Sequence, residues 1–153
     1  MAVYFFDSSA LVKRYVQETG SAWVIGLTDK QAQNPIYIAG ITAVEITAAM
    51  TRRVRGRTLT PADATQMLTN FRYDLARQYV VIDLLPKVLT QAAGLAEAHA
   101  LRGYDAVQLA AAFALQAARQ AAGISAITFI SADQELNAAA TQEGLTVDDP
   151  NQH

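Results

Sequence analysis

The sequence predicts an α/β domain with a short, mainly parallel central sheet. Three observations predict it. Short apolar or β-branched runs alternate with longer stretches of helical character, the order that strand–helix–strand crossovers require. The first run, Val3–Phe6, is continuously apolar, as a strand covered on both faces must be. Hydrophobic residues make up 52% of the 153-residue chain and charged residues 17%, so one domain of this size can bury a sizeable core.

Each element has a local reason. Val3–Phe6 ends at Asp7, and Ser9–Val16 reads as helix. Gly20 and Ser21 open a helix over Ser21–Gln33, which Asn34-Pro35 punctuates before a strand at Ile36–Ala39. Thr42–Val54 is helical and ends near Gly56. Thr60-Pro61 with Asp63 starts the next helix, because proline suits a first turn whose N–H has no partner anyway; it runs to about Gln78. Tyr79–Leu84, rich in β-branched residues, is a strand. Pro86 opens a helix to about Leu101, Gly103 breaks it, and Asp105 begins another to about Ala122. Ile127–Ser131 is a strand, Asp133–Gln142 a helix and Leu145–Val147 a short last strand. Residues 1–149 form a single domain on this reading, and 150–153 a loose tail.

Composition excludes several classes. The net charge is −2 and the pI about 5.6, so any nucleic-acid contact must be a local patch rather than a basic surface. No cysteine is present, which removes disulfides and thiolate metal sites. His99 and His153 are the only histidines, too few for a histidine-rich zinc site. No basic start with an apolar signal core and no membrane-length apolar run is seen, and the expectation is a soluble cytoplasmic protein.

The charges are informative where they are missing. Asp7 is the only acid before Arg14, and Glu45 is the only charge between Lys30 and Arg52. Asp105 is alone between Arg102 and Arg119, and nothing charged separates Arg119 from Asp133. Burying an unpaired carboxylate costs several kcal/mol, so four of them in apolar surroundings need a compensating partner. Asp7 and Asp133 both follow apolar strands and precede helices, at the sheet edge where sites form in open α/β folds. Glu45 has Ile41, Val44, Ala48 and Ala49 as helical neighbours, which turns it inward. An oxygen-only set of this kind suits Mg²⁺ or Mn²⁺ rather than zinc. Plainer readings exist for single residues: Asp7 and Asp133 as N-caps, Asp105 and Gln108 as a capping box. Glu45, in mid-helix, gains nothing from capping.

"DSSALVKRY" at Asp7–Tyr15, "ITAVEITAAM" at Ile41–Met50, "LRGYDAVQLAAA" at Leu101–Ala112 and "FISADQEL" at Phe129–Leu136 resemble, in order, the motifs of PIN-domain ribonucleases, and most closely VapC-like toxins of toxin–antitoxin pairs. The resemblance spans nearly the whole chain. It implies a three-layer α/β/α fold with Asp7, Glu45, Asp105 and Asp133 clustered at the carboxyl edge of the sheet. It makes these four the metal ligands and, together with Ser9, the catalytic residues, with Ser131 as a supporting polar residue and Glu135 as a competitor for part of the Asp133 role. It implies an endoribonuclease that uses Mg²⁺, with Mn²⁺ as substitute, and leaves 5′-phosphate and 3′-hydroxyl ends. It further implies a homodimer and a cognate antitoxin that sets a basic side chain into the acidic site.

The densest basic cluster, Arg52, Arg53, Arg55 and Arg57, and the pair Lys13 and Arg14 are candidates for contact with RNA phosphates. Compensation of a helix C-terminus explains the arginines equally well. Tyr73 and Tyr104 read as packing residues, and His99 as an ordinary helix-end residue. A catalytically silent PIN-like RNA- or protein-binding module and a structure-specific metal-dependent 5′ nuclease stay open as alternatives.

Overall fold

In the computed structural model, which describes residues 2–153, five parallel strands form one sheet. They are β1 (Tyr4–Phe6), β2 (Ile36–Ala39), β3 (Tyr79–Ile82), β4 (Thr128–Ile130) and β5 (Thr146–Asp148), in the spatial order β3-β2-β1-β4-β5. The chain therefore winds outward from β1 through β2 to β3, then crosses to the other side for β4 and β5. The reversal falls between β1 and β4, where Tyr4 pairs with Thr128 and Phe6 with Ile130. Loops on the two sides of such a reversal diverge and leave a crevice at the carboxyl edge.

The helices α1 (Ser8–Leu11), α2 (Ser21–Thr28), α3 (Thr42–Arg55), α4 (Pro61–Arg77), α5 (Pro86–His99), α6 (Gly103–Ala121) and α7 (Gln134–Gln142) cover both faces of the sheet. Alternation along β1 shows why both must be covered. Phe5 enters the core shared with α5, α6 and α7 and stacks on Phe129, ring centroids 5.7 Å apart. Phe6 enters the core on the other face, with Leu11, Ile46 and Phe71. Both phenylalanines are fully buried, so the expected three-layer α/β/α arrangement is the one observed. Ala110, Ala111 and Ala112 are also fully buried, and their small side chains let α6 lie close to its neighbours.

The structure departs from the sequence-based elements at four places. The first helix is α-helical only to Leu11 and tightens into a 3₁₀ turn at Val12–Arg14, while α2 stops at Thr28. Asp29 then takes an extended backbone and caps a separate 3₁₀ turn at Lys30–Ala32. The break before α6 lies at Ala100, which ends α5 in the left-handed region (φ 52°), and Gly103 is the first residue of α6 rather than the breaker. Residues 150–153 are packed rather than loose. Pro150–Gln152 forms a 3₁₀ turn, Pro150 is buried, and the His153 ring stacks on Trp23 with centroids 4.1 Å apart. No helix among the described residues is long and apolar enough to cross a membrane.

Gly20 joins this C-terminal turn to the start of α2. Its φ is +83°, and a Cβ there would overlap the Pro150 carbonyl. Gly20→Ala is expected to cost at least the roughly 1–2 kcal/mol of a left-handed alanine, together with displacement of the C-terminal turn. Urea denaturation checks this, and a wild-type midpoint would refute it.

Candidate active site

The site begins with the turn after β1. Asp7 is only 2% exposed yet carries a carboxylate, because the turn supplies two donors to it. Ser9 Oγ donates to Asp7 Oδ1 at 2.7 Å, and the Ala10 N–H donates to the same oxygen at 3.1 Å, which makes Asp7 the N-cap of α1. Burial nevertheless pushes the Asp7 carboxyl up to about 7; the Ser9 and Ala10 bonds oppose the rise, and the Glu45 and Asp105 charges add to it.

A second turn, after β4, is stitched to the first. Ser9 Oγ accepts from the Ala132 N–H at 3.0 Å and lies 3.4 Å from the buried Ser131 Oγ. Ser131 Oγ accepts from the Asp133 N–H at 3.1 Å, and Asp133 caps α7 by accepting from the Leu136 N–H at 3.0 Å. Ser9 and Ser131 thus tie the Asp7 turn to the Asp133 turn. Asp7 and Asp133 are the N-caps of α1 and α7, as the plainer reading had them.

Glu45 and Asp105 come from the first turns of α3 and α6. Glu45 Oε1 accepts from Gln108 Nε2 at 2.7 Å. Burial pushes its carboxyl up, while Gln108, Ser8 and the Arg52 charge pull it down. The face of α3 that carries Glu45 is not the core face: Ile41, Val44, Ala48 and Ala49 line an open cleft, Val44 is 67% exposed, and Thr42, Ile46 and Met50 face the core instead. Asp105 does not form a capping box with Gln108. Arg102 is the N-cap of α6 without a side-chain bond, and Gln108 is committed to Glu45. Burial, then the Asp133 and Glu45 charges, push Asp105 up to about 6 against the pull of Arg102.

Asp7, Glu45, Asp105 and Asp133 line one cleft of about 730 Å³, together with Ser8, Ser9, Arg52, Arg53, Arg102 and Tyr104. Glu135 is not part of that lining, although its charge reaches Asp105. Among the described residues, no group of three or more acidic or histidine side chains stands close enough to enclose an ion. The donor chemistry still fits Mg²⁺ or Mn²⁺. The donors are all oxygen, they repel one another, and Mg²⁺ is usually held through one or two carboxylates while it keeps several waters.

The basic candidates separate sharply. Arg52 is exposed and lines the cleft; Arg53 lines it too but forms an ion pair with Glu18. Arg55 and Arg57 are exposed outside the lining. Lys13 and Arg14 do not line the cleft. Lys13 is 5% exposed, and its Nζ donates to the Thr19 carbonyl at 2.9 Å and meets Glu18 at 3.3 Å. Arg14 donates to Asp74 at 3.0 Å and to the Thr28 carbonyl at 2.7 Å, in a network with the Tyr15 and Tyr79 hydroxyls. The turn after α1 directs both cations into the fold. Tyr104, expected to pack, is 42% exposed on the cleft and accepts from Arg102 at 2.7 Å. Tyr73 is half exposed elsewhere, under the Arg77 guanidinium. His99 closes α5 and meets Glu143 at 2.7 Å, away from the cleft.

Sequence reasoning missed Ser8, Thr42, Gln108, Arg102 and Tyr104 as site residues. Gln108 had a visible signal, a single amide between Val107 and Leu109 in an apolar helix; Thr42 and Ser8 had none.

A carboxyl raised in the folded state holds more protons there than in the unfolded chain. Asp7 therefore lowers stability as pH rises from about 4 through 7. Asp7→Asn keeps an acceptor for Ser9 and Ala10 and removes this penalty. Without divalent cations, its Tm is expected to exceed wild type by roughly 5 °C or more at pH 8 and to converge with it below pH 4, read by scanning calorimetry. Equal Tm values at pH 8 would contradict the burial argument.

No protein-family model matches the chain. Ribonuclease VapC45 of Mycobacterium tuberculosis (strain CDC 1551 / Oshkosh) is 33% identical over 115 residues, 75% of this chain and 78% of the relative. Among solved structures, PAE2754 from Pyrobaculum aerophilum superposes with a TM-score of 0.66 at 18% identity, over 99% of this chain and 85% of the other. A toxin–antitoxin complex from Klebsiella pneumoniae contributes a chain with a TM-score of 0.60 at 16% identity, over 98% of both chains. These structural likenesses show that the fold is shared, and they agree with the PIN-like architecture implied by the ordered motifs. One third of positions identical over three quarters of its length places the chain in a family: it belongs to the VapC ribonucleases.

Proposed function

We propose that the protein is a Mg²⁺-dependent endoribonuclease, the toxin of a toxin–antitoxin pair, that hydrolyses RNA phosphodiester bonds in the cytoplasm. One observation carries the reading: four carboxylates that stand far apart in sequence line a single cleft whose rim carries Arg52 and Arg102. A Mg²⁺ or Mn²⁺ ion held there would lower the pKa of a water, so that it could lose its proton and act on phosphorus as hydroxide, and would offset charge on the phosphate. The chain's own residues prepare for that ion. Asp7, Glu45, Asp105 and Asp133 would hold it. Among the described residues, both bonds to Asp7 fall on Oδ1, which leaves Oδ2 as the oxygen available to a ligand. Glu45 is likewise held through Oε1.

Arg52 and Arg102 counter the negative potential that the acids present to a polyanion, and arginine forks suit phosphate. The ribonuclease name of the M. tuberculosis relative supports RNA as substrate. The Klebsiella fold neighbour is a toxin–antitoxin complex, which supports an antitoxin partner. In this reading the active form is a homodimer, and the antitoxin inhibits it by placing a basic side chain among the four acids.

Asp7→Asn and Glu45→Gln are each expected to lower cleavage of single-stranded RNA at least 10³-fold in Mg²⁺, with unchanged circular dichroism and with loss of growth arrest on expression. A panel of single- and double-stranded RNA and DNA accompanies the assay. A fully active Asp7→Asn protein, or cleavage confined to branched DNA, sinks the proposal. Arg52→Ala is expected to weaken RNA binding and to reduce the salt dependence of log K by about 0.7, the share of one phosphate on a single strand. Arg14→Ala should leave that slope unchanged and instead cost roughly 2–3 kcal/mol of stability, because it leaves the shielded Asp74 carboxylate with the Tyr15 hydroxyl but no cation.

A further inference from the structure

The side chain of Gln108 is an outlier in this fold. It is fully buried on α6, a helix otherwise lined by alanine and leucine on that face. Its Nε2 donates twice across to α3, to Glu45 Oε1 at 2.7 Å and to Thr42 Oγ1 at 3.0 Å. Its Oε1 is buried with no partner among the described residues. A stranded buried acceptor costs about 1–3 kcal/mol, so an apolar side chain of equal size would serve packing better. The orientation of the amide is dictated by its neighbour: an ionised carboxylate only accepts, so the NH₂ group must face Glu45.

Gln108 also stands three residues after Asp105, hence on the same face of α6 and one turn deeper. Asp105 and Glu45 are thus joined through one short bridge: the α6 backbone, the Gln108 amide and the Glu45 carboxylate. Thr42, at the start of α3, accepts the second N–H.

We infer that Gln108 is a positioning residue, whose amide clamps Glu45 Oε1 and sets its separation from Asp105 so that the remaining oxygens of both acids face the cleft. This role presupposes that the cleft binds a divalent cation, as proposed above. Partners that orient metal-binding side chains typically change metal affinity 10–100-fold when removed. Nothing about the packing of α6 requires an amide here, so the clamp is separable from the fold.

The test is titration calorimetry of the full chain with Mn²⁺ and no RNA, alongside thermal melts. Gln108→Met fills the same volume without donors, and Gln108→Asn keeps an amide that is one methylene too short to reach Glu45. Either variant, if folded, is expected to bind Mn²⁺ 10–100-fold more weakly with a Tm within a few degrees of wild type. In a Glu45→Gln background, Gln108→Met is expected to change Mn²⁺ affinity less than twofold, since the clamped carboxylate is already gone. Unchanged Mn²⁺ affinity in folded Gln108→Met overturns the positioning role and leaves the proposed metal-dependent activity standing. Loss of folding in both variants assigns Gln108 to the core alone and also overturns it. A wild-type chain that binds no Mn²⁺ overturns the proposed activity and this role with it.

Discussion

The Asp7 carboxylate sits where the sheet reverses its winding, and the rest of the site is arranged around that placement. β1 is the central strand, paired on one side with β2 and on the other with β4, so the turn that follows it cannot drift. A carboxylate in that turn is buried by geometry, whatever its charge costs. The chain meets the cost locally, with the Ser9 hydroxyl and the Ala10 N–H on one oxygen. Ser9 then reaches across the reversal to the Ala132 N–H, so the turn that holds the first acid also sets the position of the fourth.

Electrostatics and architecture work against each other in this cleft. Asp7, Glu45 and Asp105 are all raised, in each case chiefly by burial, and Asp7 and Asp105 also by neighbouring acids. Such a cluster is unfavourable for folding by itself, which is the usual condition of a site whose missing charge arrives with a ligand. The arginines divide by the same logic. Arg52 and Arg102 are exposed on the cleft, whereas Lys13 and Arg14 are consumed in the interior by Glu18, Asp74 and main-chain carbonyls.

Much of this was legible in the residues. Continuous apolar runs at Val3–Phe6 and Ile36–Ala39 marked strands covered on two sides, and the β2 boundaries agree residue for residue. Isolation of Asp7, Glu45, Asp105 and Asp133 among apolar neighbours singled out the four acids that share the cleft. Other features were not legible. Lys13 and Arg14 look like a solvated helix end, but the switch to a 3₁₀ turn after Leu11 rotates them inward. Gln108 read as a local capping partner of Asp105, since spacing reports neighbours along one helix and not the acid on another. Residues 150–153 read as a loose tail, but the stack of His153 on Trp23 joins segments 130 residues apart in a way no local pattern encodes.

The sequence by itself determined the element order, the two-sided burial of the sheet and which acids were out of place in apolar surroundings. These are properties of local composition and periodicity, which act over a few residues. The tertiary structure alone decided which cations reach the cleft, which face of α3 is open and which side chain holds Glu45. Each of those depends on how α3, α6 and the two turns at the sheet reversal meet in space, and the hydrogen bond between Glu45 and Gln108 joins residues 63 apart in sequence.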